Sequence, residues 1–206
     1  RNFAYGGATA VTSPAFEVTL PTGPEFVDVP DLPEQVDAFV DGVATGQIDP
    51  RPNGLGAIWA GGNDLRDAGT PGEVSAAISG AVASIVQSVG RLFTAGLSEV
   101  VVFNLPDLGL LPEIETAADR QDATDATVAF NGTLSATLAS AYGPDVPIFD
   151  TFALFDEVVQ DPSAFGFANT GDACLPALIF GLVSDCGGFL FYDDVHPTEA
   201  AHAIIA

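Results

Sequence analysis

Two short apolar runs with a helical stripe between them leave this chain few folds. Leu55-Gly56-Ala57-Ile58-Trp59-Ala60 reads as a buried strand. Ser98 to Phe103 is a β-branched run without polar alternation, as expected of a strand covered on both faces. Between them, Thr70-Pro71-Gly72-Glu73 has the form of a capping box with proline at the first helical position. Val74, Ile78, Val82, Ile85, Val89 and Leu92 then line one face of a long helix that stops near Gly96. Strand, helix, strand in this order predicts a parallel pair joined by a crossover.

The same alternation continues on both sides. Asn2 to Gly6 reads as a short strand that stops at paired glycines. Leu32, Val36, Phe39, Val40 and Val43 fall at helical spacing and end near Gly46. A further helix is expected over 121–142, with Phe130, Leu134 and Leu138 in register. Val146 to Asp150 reads as a last short strand and Phe152 to Val159 as a short helix. Residues 11 to 30 hold Pro14, Pro21, Pro24 and Pro30 and read as a surface loop. The expected class is α/β, a three-layer α/β/α sandwich on a parallel sheet, and 206 residues suffice for one domain with a sizeable core or for two small ones. Residues 161 to 190 are a long, apolar loop. It either packs down as a satellite core or in part lines a pocket for an apolar substrate group.

Charge excludes whole classes of partner. The chain has 28 Asp and Glu against five Arg and Lys, a formal net charge of −23. A phosphate backbone is repelled, so no nucleic-acid partner is expected, and an anionic membrane surface is equally disfavoured. Solubility explains such acidity without a specific cationic partner. No unbroken apolar run approaches the roughly 18 residues of a membrane span. Cys174 and Cys186, in one Gly-rich loop, are spaced to close a small disulfide worth roughly 3 kcal/mol. No further cysteine exists to complete a zinc site, and an oxidising, extracytoplasmic home is expected. With no Met anywhere, the chain as written is expected to lack something upstream of Arg1.

The chemistry concentrates where Phe189-Leu190-Phe191-Tyr192 breaks into Asp193-Asp194-Val195-His196-Pro197-Thr198. Pro197 suits a first helical turn, which would put His196 at a loop-to-helix corner with Asp193 three residues back. A carboxylate there accepts one ring N–H and leaves the other nitrogen to take a proton. The bland alternative is an Asp capping a helix beside an exposed His. Gly61-Gly62-Asn63-Asp64 follows a predicted strand, as polar groups do at the carboxyl edge of an open α/β sheet. Gly6-Gly7 allows backbone N–H groups to approach a ligand, with a tight turn as its plainer reading.

Together these segments resemble one family, the SGNH or GDSL hydrolases. Asn2-Phe3-Ala4-Tyr5-Gly6-Gly7-Ala8 is similar to their second conserved block, Gly61-Gly62-Asn63-Asp64 to the third, and Asp193-Asp194-Val195-His196-Pro197-Thr198 to the fifth. Asn104-Leu105-Pro106-Asp107-Leu108-Gly109 resembles a segment of the longer, lipase-like branch. The resemblance spans residues 2 to 203 and implies a single SGNH/GDSL domain over 1–206 with a flavodoxin-like sheet. It also implies a carboxylesterase or lipase that uses a Ser-His-Asp triad without metal or cofactor, and the cysteine pair adds the expectation that it is secreted, periplasmic or on the surface of a bacterial-type cell. In that reading His196 is the general base, Asp193 orients it, and Gly7 (backbone N–H) and Asn63 (side-chain amide) are oxyanion donors. The expected substrate is an ester with an apolar acyl group.

One block departs from the family. Nothing here resembles the first, Gly-Asp-Ser-Leu, which supplies the nucleophile. Ser13, Ser75, Ser79, Ser84, Ser88, Ser98, Ser135, Ser140, Ser163 and Ser184 all lie in other contexts. The domain is therefore expected to be N-terminally incomplete, its first strand and serine lying upstream or on a separate peptide. Two alternatives stand beside the esterase. One is a divalent-metal-binding protein built on Asp193, Asp194, His196, Glu199 and His202; the other is a non-catalytic secreted domain on the same fold.

Overall fold

The computed structural model describes residues 1–13, 16–20, 23–27, 29–50 and 53–205, with 16–20 and 23–27 described by backbone alone. Pro14, Pro21 and Arg51 lie outside the described residues. The chain divides into two compact units. The first comprises residues 1–104 and 129–149, the second 105–128 and 150–206.

In the first unit, β3 (Leu55–Ile58), β4 (Glu99–Phe103) and β5 (Ile148–Phe149) form a three-stranded sheet in that order, with both pairs parallel. The expected β–α–β crossover is present as α3 (Pro71–Thr94) between β3 and β4. Its start follows from the capping box. The Thr70 hydroxyl accepts from the Glu73 N–H, and the Glu73 carboxylate accepts from the Thr70 hydroxyl and the Gly69 N–H. Three groups that a helix start otherwise leaves to solvent are thereby paired. The stripe Ile78, Val82, Ile85, Val89, Leu92 is buried, as are Val100 and Val102 of β4. A side chain at Gly56 would sit 2.9 Å from Leu97 and 3.5 Å from Leu92, so glycine lets the sheet and α3 approach. By length and composition alone α3 is apolar enough to cross a membrane, though Ser, Gly and Gln interrupt it along its length. On the other sheet face Phe103 stacks on both Trp59 and Phe149.

Two expectations fail in this unit. Asn2–Gly6 is not a strand. Its groups bond locally, the Asn2 side chain taking the Ala4 N–H and the Tyr5 carbonyl the Ala8 N–H, and no ladder partner pairs it among the described residues. An alternating sequence becomes a strand only where a neighbour takes its backbone groups. Residues 11–30 are not simply a loop. β1 (Phe16–Leu20) and β2 (Gly23–Val27) form an antiparallel hairpin with Leu20 opposite Gly23. Pro24 is compatible with it because a two-stranded ribbon leaves each strand one unpaired edge. The helix expected from Leu32 is α1 (Leu32–Ala44), capped by Asp31 and Glu34.

The helix expected over 121–142 begins four residues earlier, as α4 (Ala117–Tyr142), with Thr116 bonding the Asp119 N–H at its start. The elements after β5 belong to the second unit. There α5 (Thr151–Gln160) follows the expected short helix. The long apolar loop is more ordered than expected. It contains β6 (Asn169–Ala173) and α6 (Cys174–Ile179), and β6 pairs in parallel with β7 (Phe189–Phe191). Phe167, Cys174, Leu190 and Phe191 are buried, so its base is a satellite core. Its tip is not. The mixed α/β architecture with parallel strands is that of the expected fold class.

Candidate functional site

The four residues singled out by sequence fall in two places, Gly7 and Asn63 in the first unit, Asp193 and His196 in the second. In the second, β7 leads into a loop closed at its base. The Tyr192 N–H donates to the His196 carbonyl at 2.8 Å and the Thr198 N–H to the Leu190 carbonyl at 2.9 Å, with Phe191 and Pro197 facing as an antiparallel bridge. Pro197 therefore does not open the helix, as the sequence had implied. It occupies the bridge position whose own N–H is not used, where proline costs nothing. Thr198 is the true anchor. Its hydroxyl donates to the Phe189 carbonyl and accepts from the Ala201 N–H, starting α7 (Glu199–Ile205). The Asp194 carbonyl accepts from the Glu113 N–H, a further tie on the loop.

Inside this loop Asp193 faces His196. Its carboxylate oxygens lie 2.9 and 3.0 Å from the ring Nδ1, and the same Oδ1 accepts the backbone N–H groups of Val195 and His196. Burial pushes the Asp193 carboxyl up, but the N–H groups of His196 and Val195 and the His196 ring outweigh it and hold the carboxyl below its ordinary value. An ionised Asp193 favours the tautomer with hydrogen on Nδ1, which leaves Nε2 as a proton acceptor. The His196 side chain is 70% exposed, so the ring is open to solvent.

The first unit holds the other two residues. Gly7 has φ 85°, a left-handed conformation closed to most residues, and among the described residues its N–H has no acceptor. Asn63 lies in the short helix α2 (Gly62–Arg66) directly after β3. One N–H of its amide donates to the Ala8 carbonyl at 2.8 Å, tying the predicted donor Asn63 to the residue beside the predicted donor Gly7. The helix start is equally fixed. Gly61 has φ 111°, and a side chain there would meet the Phe130 ring at 2.5 Å.

Two carboxylates that the motifs did not single out as functional hold this segment. Asp64 accepts the N–H groups of Ala10 at 2.8 Å and Val11 at 3.3 Å. Asp31 accepts the Thr9 N–H at 2.7 Å and the Ser13 hydroxyl at 2.7 Å. Burial raises the Asp64 carboxyl, and the Asp31 charge adds to that against the opposing N–H bonds. At Asp31 burial raises too, but the bonds from Thr9 and Ser13 prevail and the carboxyl is lowered. The one signal in sequence was Asp31 before Leu32-Pro33-Glu34, which reads as a cap and nothing more.

In the second unit Asp107 caps the turn at 108–110 and accepts from Thr124, and Gly109 has no room for a side chain beside Thr124 and Arg120. Cys174 and Cys186 are bonded, as the spacing predicted. Among the described residues no three His, Cys, Asp or Glu side chains gather as a metal ion requires, and this includes the set from Asp193 to His202.

The family model for GDSL-like lipase/acylhydrolase matches residues 1–206. The chain belongs to that family. A phosphatidylcholine-sterol acyltransferase of Aeromonas hydrophila is 26% identical to it, over all of this chain and 71% of that protein. A thermolabile hemolysin of Vibrio parahaemolyticus is 25% identical over the whole chain and 49% of its own length. Esterase EstA of Pseudomonas aeruginosa is 32% identical over 75% of the chain and 25% of its own length. The chain thus spans half or less of the length of several curated relatives it matches. Membership in a lipase and acylhydrolase family supports a general ester hydrolase.

Proposed function

We propose that this GDSL-family chain carries the base and two oxyanion donors of a serine ester hydrolase acting on carboxylic esters with an apolar acyl group. The observation that carries the reading is the Asp193 carboxylate 2.9 Å from the His196 Nδ1 on a loop closed at its base. In the reaction the His196 Nε2 takes the proton of a serine hydroxyl as its oxygen attacks the ester carbonyl. The resulting alkoxide is stabilised by the Gly7 N–H and the Asn63 amide. His196 then returns the proton to the departing alcohol, and water repeats the cycle to release the acid. The nucleophile in this reading is the serine of the family's first block, and no serine of residues 1–206 is assigned to it.

A lipid acyl ester is the substrate class we favour. It draws on the relative whose name refers to phosphatidylcholine and which aligns with the whole chain. An extracytoplasmic location is part of the same proposal, supported by the Cys174–Cys186 bond. The test uses the full-length protein, a short-chain soluble ester and a serine-directed fluorophosphonate. His196→Ala should lower kcat by about 10⁴-fold or more with the fold intact and abolish labelling. Turnover near that of the parent would remove His196 from the mechanism.

A further inference from the structure

The tip of the disulfide-closed segment is a second feature, separate from the residues given chemical roles. Leu178-Ile179-Phe180-Gly181-Leu182-Val183 contains no charge, and Asp185 is the one ionisable residue between Cys174 and Cys186. The segment divides into two sides. Cys174 is buried and Leu175, Leu178 and Val183 are half-buried, whereas Ile179, Phe180 and Leu182 are 70%, 77% and 77% exposed. This exposure is not fraying. The Leu182 N–H donates to the Ala177 carbonyl and the Gly181 N–H to the Leu178 carbonyl, the paired bonds of a Schellman helix end, with Gly181 at φ 68°. Such an end ordinarily folds its last apolar side chain back onto the helix. Here Leu182 points into solvent, and the bond between Cys174 and Cys186 holds the loop closed around it.

Three large apolar side chains held outward on one short closed segment offer a surface for docking. A second copy of the chain fits poorly. The three side chains offer about 400 Å², roughly half of the ~800 Å² per partner of a standard interface, and each copy carries −23 charges. Anionic lipid is repelled by the same charge. A neutral or zwitterionic lipid surface meets both conditions. It accepts side chains singly without a complementary shape, and its outermost choline groups are cationic. We propose that the Cys174–Cys186 segment docks the protein on aggregated neutral or zwitterionic lipid by inserting Ile179, Phe180 and Leu182. The same segment is tied to the His196 loop, since the Leu175 N–H donates at 2.8 Å to the carbonyl of Tyr192, the residue before Asp193. Docking would therefore fix the orientation of the Asp193–His196 pair to the lipid surface. The inference draws its purpose from the ester-hydrolase reading, but its test does not depend on catalysis.

The test is co-flotation of the full-length protein with phosphatidylcholine vesicles, comparing the parent with the double variant Phe180→Asp, Leu182→Asp. Loss of two inserted side chains should weaken partitioning by roughly 10²- to 10⁴-fold. Turnover of a soluble short-chain ester should stay within about two-fold, because both positions lie outside the proposed chemistry. An alkylation test for an intact Cys174–Cys186 bond and an unchanged thermal midpoint establish that the variant is folded. A single substitution, Phe180→Ser, covers the case in which the double variant fails to fold and should weaken partitioning by roughly ten-fold. A parent that stays off phosphatidylcholine vesicles, or equal flotation of parent and variants, would overturn the proposal. So would a preference for phosphatidylglycerol, or a parent dimer that the substitutions dissolve. A parent that floats as expected but hydrolyses no ester supports docking while sinking the hydrolase reading.

Discussion

Asp64 and Asp193 each follow a β-strand by a few residues, each accepts two backbone N–H groups, and they do opposite work. Asp64 is 7% exposed, its two oxygens are spent on Ala10 and Val11, and burial raises its pKa above the ordinary value. The Asp193 side chain is 34% exposed, one oxygen takes both backbone N–H groups, and its pKa is lowered. Stacking both N–H groups on Oδ1 leaves Oδ2 directed at the His196 ring. The same residue type thus serves as a clamp where both oxygens are used by the chain, and as an orienting charge where one is left over. Burial decides the sign of the shift at Asp64, and hydrogen bonds to the ionised form decide it at Asp193.

The largest test of this contrast is Asp193→Asn. The amide oxygen can keep the bonds to Val195 and His196, so the loop should persist, but an NH₂ group facing Nδ1 imposes the wrong tautomer. We expect kcat on a soluble ester to fall by roughly 10³- to 10⁴-fold with a thermal midpoint within about 2 °C of the parent. Loss of the fold instead would make Asp193 a clamp like Asp64 and erase the distinction.

Asp64→Ala should do the reverse. It leaves the N–H groups of Ala10 and Val11 without acceptors, and Ala10 is fully buried. The buried Ala10 donor costs about 1 to 3 kcal/mol when orphaned, the exposed Val11 N–H less because water reaches it, and part is offset because a carboxyl with a raised pKa is itself costly to ionise. A net loss of about 1 to 3 kcal/mol should appear as a midpoint lowered by roughly 3 to 10 °C in a chain of this size. Calorimetry decides it. A variant as stable as the parent would mean that the 9–13 segment is held by Asp31 alone.

How legible each part was depended on how far its partners lie along the chain. β3, α3, β4 and α1 were readable because helical spacing, β-branched runs and the Thr70 cap are local signals. The Asp193–His196 pair was readable because three residues separate the members. The clamps were not, for Asp64 meets Ala10 across 54 residues and Asp31 meets Thr9 across 22. Asn2–Gly6 reads as a strand from its apolar pattern, but a pairing neighbour decides whether a segment is one. In the β1–β2 pair Pro24 obscures a strand pairing that tolerates it. The exposed tip at 179–182 reads as core or pocket because composition registers apolarity and not direction, and direction there is set by the Gly181 turn.

The smallest effect separates the two carboxylates most cleanly, because only its sign matters. Asp193, with its folded pKa lowered, contributes stability that is present above the ordinary value of 3.8 and is lost as the pH falls through the folded value. Asp64, with its folded pKa raised, binds its proton more readily folded than unfolded. Its ionisation costs stability above the folded value, and that cost is relieved as the pH falls toward 3.8. Urea midpoints of the parent, Asp64→Asn and Asp193→Asn, measured from about pH 6 to about pH 3, should therefore diverge. The parent should gain on Asp64→Asn as acid is added and lose its advantage over Asp193→Asn. Exposure of Asp193 to solvent keeps its slope shallow. Parallel curves for the two variants would show that both carboxylates are governed by the same term, and the assignment of burial to one and hydrogen bonding to the other would fall.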